Sequence, residues 1–231
     1  MTRPHSYDDS MATSLPPPSS LLQLRTVVSE HDVRAVVSDL DGVLRVFDPS
    51  LWDRLDHHVG LAPGTAFAAI LGHPFLEEVT RGRGTHAQWR ERAVAELVTQ
   101  GAAPGTARET VRLWAATPGC VDQEVLAQLQ RFREQGLAVF VLTNGTDRVP
   151  WELDQLGLGD VLGPRRRFLL NTADLGAAKP DREAFARAHE RLSREPAGPL
   201  APAQVAFLDD SAGHVRGAEE FGWRAVRHGR G

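Results

Sequence analysis

The chain has 231 residues, 42% of them apolar and 24% charged, with a net charge of −4; this is ample for a buried core, and the interspersed signs leave no extended basic face for nucleic acid. The single cysteine, Cys120, excludes an internal disulfide and fits a reducing compartment. No apolar run approaches the roughly 18 residues of a membrane span and the N-terminus lacks a signal peptide's apolar core, so a cytoplasmic protein without membrane or nucleic-acid partners is expected.

Residues 1–20, MTRPHSYDDSMATSLPPPSS, carry few large apolar side chains and a triple proline, and are expected to form a disordered tail. LLQLRTVVSEHDVR, 21–34, reads as a lead-in helix. The β-branched run Ala35 to Val37 then reads as a buried strand. It ends in Asp39 and Asp41, with Gly42 directly after. Asp and Gly both favour turns, yet in open α/β sheets this end of a strand is also where ligands bind.

Residues 48–116 show no convincing strand. They read as helices around PSLWDRLDHHV, PGTAFAAIL, THAQWRERAVAELV and TARETVRLWAA, with Thr85 as an N-cap and Gly101 as a stop. This is a helical insertion. Beyond it, Asp122 caps a helix ended by Gly136, and LAVFVL (137–142) is a strand finishing at Thr143 and Asn144. A helix follows in which Pro150 fits only the first turn. The RRR run at 165–167 reads as a solvated loop, RFLLN as a strand, DREAFARAHERLS as a helix, QVAFL (204–208) as a strand, AGHVRGAEEFG as a helix and WRAVRH as a last strand.

This alternation predicts an α/β fold, a parallel sheet with helices on both faces. Residues 21–47 and 117–231 form its core domain and 48–116 the inserted helical domain. Asp39, Asp41, Thr143, Asn144, Asp209 and Asp210 should converge at one sheet edge. Carboxylates in that number need a cation, and hard oxygen ligands suit Mg²⁺ with room for a substrate phosphate. Lys179 is the only lysine among 26 basic residues, which marks a place where a compact ammonium is required.

VVSDLDGVL, VFVLTNGT, AAKPD and VAFLDDS, in this order, resemble the four motifs of the haloacid dehalogenase-like (HAD) superfamily, of the Rossmann-like type with a helical cap inserted after the first motif. The segments around Lys179 and Asp210 are most similar to small sugar-phosphate phosphatases and the phosphatase-like domain of epoxide hydrolases. The resemblance implies Asp39 as nucleophile forming an aspartyl-phosphate, and Asp41 as general acid then base, its side chain free and its backbone carbonyl on Mg²⁺. It implies Thr143 and the Asn144 amide on the phosphoryl oxygens, Lys179 between phosphate and Asp39, Asp210 as a direct metal ligand and Asp209 on a metal-bound water. A Mg²⁺-dependent phosphatase for a small phosphorylated metabolite, foremost a sugar phosphate, follows; Asp41 speaks against the dehalogenases.

The alternatives are a β-phosphoglucomutase-like mutase, a phospho-acceptor domain of the response-regulator kind, and a non-catalytic regulator on the same fold. In the cap, Trp52, Phe67, Phe75 and Trp89 are expected to form core. His73, Arg81 and Arg83 are the candidate substrate ligands, with Gly82 and Gly84 lending their loop mobility. A monomer or homodimer is expected.

Overall fold

In the computed structural model, residues 19–159, 162–195 and 198–229 are described. Most of the expected tail lies outside them, but its last two residues open the first helix, α1 (Ser19–Glu30). Leu21 and Leu24 of that helix are buried in the core, and this draws Ser20 in with them, its Oγ 3.0 Å from Nδ1 of His228.

Strand β1 (Ala35–Ser38) leads to a short strand β2 (Arg45–Val46) and five helices: α2 (Leu51–Val59), α3 (Thr65–Ile70), α4 (Phe75–Thr80), α5 (His86–Thr99) and α6 (Pro104–Ala115). After β3 (Cys120–Val121) come α7 (Gln123–Glu134), β4 (Ala138–Thr143), α8 (Val149–Gln155), β5 (Leu169–Asn171), α9 (Thr172–Leu175), α10 (Arg182–Leu192), β6 (Val205–Asp209), α11 (Ala212–Phe221) and β7 (Arg224–Arg227). The five longer strands form one parallel sheet in the order β5-β4-β1-β6-β7. None of the described helices is long and apolar enough to cross a membrane.

The period-two alternation of strand side chains splits the core into two layers. Val36, Val139, Val141, Ala206 and Leu208 pack on one face with Leu24 and Phe132. Val37, Phe140, Leu142, Val205 and Phe207 pack on the other with Phe185 and Trp223. Near-continuous apolar strands are what a sheet covered on both faces demands. Asp122 caps α7 by accepting from the N–H groups of Glu124 and Val125, and Pro150 sits in the first turn of α8.

The inserted helices have a core of their own, including Val59, Ile70, Val79, Trp89, Leu97 and Val111. Thr85 starts α5 with a reciprocal capping box to Gln88. Gly101, at φ 105°, follows its end. Where the chain leaves for the insertion and returns from it, β2 and β3 pair antiparallel, Arg45 opposite Val121 and Val46 opposite Cys120. Two-residue strands carry no readable alternation, so sequence patterning passes over this ribbon.

The loop after α4 meets the sheet domain closely. Arg81 donates to Asp181 at 2.9 Å, and a Cβ on Gly82 would overlap the carbonyl oxygen of Ala173. Gly84 has the ring of Phe75 2.7 Å from where its Cβ would be. These glycines therefore provide close approach, not the loop mobility expected of them.

Candidate active site

Because β1 lies between β4 and β6, the ends of three neighbouring strands bring Asp39, Thr143 and Asp209 to one edge. Asp39 follows β1 directly and is buried; its Oδ1 accepts from the N–H of Leu40 at 2.7 Å. Lys179 reaches it from the loop before α10. The buried Nζ lies 2.9 Å from Asp39 Oδ1 and 2.7 Å from Asp209 Oδ2, and donates to the carbonyl of Leu142 at 3.1 Å. The lone ammonium thus has a compact three-acceptor socket.

Asn144 builds that socket. Its Nδ2 donates to the Lys179 carbonyl at 2.8 Å, and its Oδ1 accepts from the Lys179 N–H at 2.9 Å. The Asn144 carboxamide is committed to the lysine's backbone, so only its main-chain amide suits a phosphoryl oxygen. Thr143 is buried at the end of β4 beside Asn171. Asp209 is fully buried and accepts from the Ser211 N–H at 2.9 Å, with His214 Nδ1 3.0 Å away. Asp210 is exposed. It folds over the turn after β1 so closely that a Cβ on Gly42 would overlap its carboxylate, and Gly42 at φ 82° also needs its conformational freedom.

The expectation of a free Asp41 side chain requires correction. Arg45 grips both its oxygens, Nε to Oδ1 at 2.5 Å and Nη2 to Oδ2 at 2.9 Å, while Nη1 donates to Glu152 at 2.7 Å. The planar fork of a guanidinium matches a carboxylate in bidentate fashion, and the backbone bridge between Asp41 and Arg45 brings the two together.

Burial pushes the Asp39 carboxyl well above the usual carboxylate range, with Lys179 opposing and Asp209 adding to the rise. Burial also opposes ionisation of Asp209, but the hydrogen bond from His214 and the charge of Lys179 overcome it and hold that carboxyl at about 2. Lys179 stays charged: burial works against it, and Asp39 and Asp209 raise it above the ordinary lysine value. Asp210, though exposed at the surface, is raised by the protein packed to one side of it and by Asp209.

One ammonium therefore leaves negative charge uncompensated at Asp39 and Asp210. Ligating atoms of Asp39, Asp209 and His214 lie within 4.8 Å of one another, but Lys179 already bridges the first two. The charge deficit on hard oxygen donors at Asp39 and Asp210 fits a divalent cation such as Mg²⁺ at the outer side of the cluster.

A cavity of about 380 Å³ opens over this edge, bounded below by Asp41, Gly42, Asn144 and Asp210 and above by the inserted helices. Trp52 and Trp89, expected in the cap core, also wall it. Phe67 is instead exposed, its ring edge-on to Trp52 at 5.0 Å. His73, Arg81 and Arg83 do not line the cavity. His73 accepts from the Phe75 N–H, Arg81 is paired with Asp181, and Arg83 is paired with Glu78. Three residues of the site went unrecognised in the sequence: Arg45, Glu152 and His214. The first falls four residues after Asp41, a spacing that could have signalled it.

The strand ends of a parallel sheet thus gather a buried aspartate, a buried lysine and an acidic pair under a helical insertion. The model of the haloacid dehalogenase-like hydrolases matches residues 33–222, and the chain belongs to that family. Among solved structures it resembles a HAD family enzyme of Bacteroides thetaiotaomicron in complex with magnesium and inorganic phosphate, at 20% identity and TM-score 0.62, over 84% of this chain and 93% of the other. It also resembles the L-2-haloacid dehalogenase from Xanthobacter autotrophicus, at 21% identity and TM-score 0.58, over 84% and 76%. A dehalogenase with an intermediate complex aligns at 25% identity and TM-score 0.63, over 85% of each chain. No curated protein matches the sequence.

Proposed function

We propose that the chain is a Mg²⁺-dependent phosphomonoesterase for a small molecule, working through an aspartyl-phosphate at Asp39. The observation that carries this reading is Asp41: a second carboxyl, two residues from the buried nucleophile, lines the cavity. A leaving alkoxide needs a proton and a leaving halide does not. Asp39, Asp210 and the main-chain carbonyl of Asp41 would hold the metal, with Asp209 behind them on a water of the ion; when bound it would supply charge neutralisation for ionised Asp39 and the phosphoryl oxygens.

An oxygen of Asp39 attacks phosphorus as the ester P–O bond breaks, and the departing alkoxide takes the Asp41 proton. Water then gives a proton to Asp41 and its oxygen to phosphorus; the bond from phosphorus to Asp39 breaks, and both carboxyls are restored. Arg45 must release one Asp41 oxygen for these transfers, keeping its hold on Glu152. Lys179 keeps charge balanced at Asp39 throughout.

Asp41→Asn with p-nitrophenyl phosphate tests this. The aryl oxide leaves without a proton, so a burst of nitrophenol approaching one equivalent should precede a slow phase, with phosphate trapped at Asp39. Absence of both the burst and the phosphoenzyme refutes the mechanism. Chloride release from 2-chloropropionate by the unaltered protein would transfer it to the dehalogenases.

A further inference from the structure

Four of the chain's five tryptophans, Trp52, Trp89, Trp114 and Trp151, wall the one cavity above Asp41, in a chain that is only 6% aromatic. They come from α2, α5, α6 and α8, elements far apart in sequence, so local propensity does not explain their meeting. Trp89 and Trp114 pack edge to face at 4.7 Å, and the His86 ring stacks on Trp114 at 5.8 Å. Leu71 and Phe47 extend the same surface. Phe47, Leu71 and Trp151 are 39%, 38% and 51% exposed, so half of the six exposed large apolar side chains among the described residues gather at this one cavity.

The charged groups beside this wall are mostly engaged already. Arg45 is spent on Asp41 and Glu152. Arg148 donates to the carbonyl of Ala115 and lies 4.4 Å over the Trp151 ring. Thr117 donates to the Leu113 carbonyl, and the Trp89 indole N–H donates to Ile70, away from the cavity. Burial and the nearby Arg148 hold His86 down at about 4, so it is neutral at physiological pH. The Gln155 amide, the neutral His86 ring, the Thr146 hydroxyl and the indole edges remain for hydroxyl groups, and the exposed Asp210 carboxylate lies at the phosphate end. A sugar bound against the tryptophans would lose water from more hydroxyls than these few groups can satisfy.

We infer that the alcohol carried by the phosphate is apolar and aromatic rather than a sugar. The inference rests on the phosphomonoesterase reading and names the substrate class of the same site. Its polar end would face Asp39, Asp41 and Asp210, and its ring the tryptophans, in a cavity whose volume falls in the range of small-molecule pockets.

Phosphate release by the full chain with Mg²⁺ should be compared for 2-phenylethyl phosphate, glycerol 1-phosphate and glucose 6-phosphate. All three are esters of primary alcohols, so leaving-group chemistry is matched. Burying about 100 Å² of phenyl surface at about 25 cal/mol per Å² raises kcat/KM about seventyfold over the polar esters. Trp151→Ser, at a half-exposed position, should raise KM for the phenyl ester about fivefold with kcat held. Quenching of indole fluorescence by 2-phenylethylphosphonate in Asp39→Asn reads binding without turnover. Glucose 6-phosphate turned over as well as the phenyl ester, or no quenching by the phosphonate, overturns the inference. Quenching without hydrolysis of any ester supports the aromatic site and overturns the phosphomonoesterase reading instead.

Discussion

Lys179 shows how much a single side chain can be asked to do. Its ammonium touches two buried carboxylates and a carbonyl at 2.7–3.1 Å, a socket too compact for a guanidinium. Lys179→Arg should therefore lower turnover about a hundredfold or more. Lys179→Met should do so as well, and also destabilise the fold by about 3 kcal/mol, because it strands two buried acids. Denaturant melts beside phosphate-release rates check both; an arginine variant with near-native rates contradicts the socket. The sequence announced this residue by its solitude among arginines, and Asp39 by the strand that ends at it. It was silent on His214 and on the Arg45 grip. The His214 contact depends on where a helix start falls in three dimensions, and the Arg45 grip on the turn that makes its four-residue spacing from Asp41 count.

At the scale of elements, the sheet strands were legible because runs such as Ala35 to Val37 and Val205 to Leu208 are apolar on both faces, and the helices because their caps are explicit at Thr85 and Asp122. The start of α1 was misjudged because serines after a proline run look like tail, while tertiary burial of Leu21 and Leu24 recruits them. The loop glycines were misread for a similar reason: closeness to another element leaves no trace in local composition. Gly82, at φ 72° against the Ala173 carbonyl, makes the point testable. Gly82→Ala should cost about 1–3 kcal/mol and loosen α4 from α9, seen as a lower Tm and faster amide exchange in both helices. An unchanged Tm would show that the insertion does not rest on this contact.

Across the whole molecule, the aromatic cluster that roofs the cavity links stability to pH. His86 is folded with a value of about 4 against an ordinary 6.5, since burial and Arg148 disfavour its charge. The unfolded chain binds the proton more readily, so this contribution is full above pH 6.5 and is lost as pH falls toward 4. The difference in Tm between pH 7.5 and pH 5 should shrink in His86→Phe, which keeps the stacked ring and removes the titration. An equal difference in both proteins would exclude His86 as its source. The meeting of four tryptophans belongs to this scale too, and no reading of neighbours along the chain could have found it.

The small ribbon of Arg45–Val46 and Cys120–Val121 has a consequence for how such a protein can change over time. Its paired strands return the polypeptide to within about 5 Å of where it left. For the sheet, everything from Phe47 to Gly119 is a loop whose ends are already joined, and doubling a loop's length costs only about 0.6 kcal/mol. Apart from the contacts of Arg81 and Gly82 with Asp181 and Ala173, the length and shape of that excursion are therefore almost invisible to the strand that ends at Asp39. Substitutions, insertions or wholesale replacement of the roof can alter which molecule is admitted while the bond-breaking floor keeps its geometry. Of the cavity's aromatic wall, Trp52, Trp89 and Trp114 travel with that excursion, while Trp151 stays with the sheet domain.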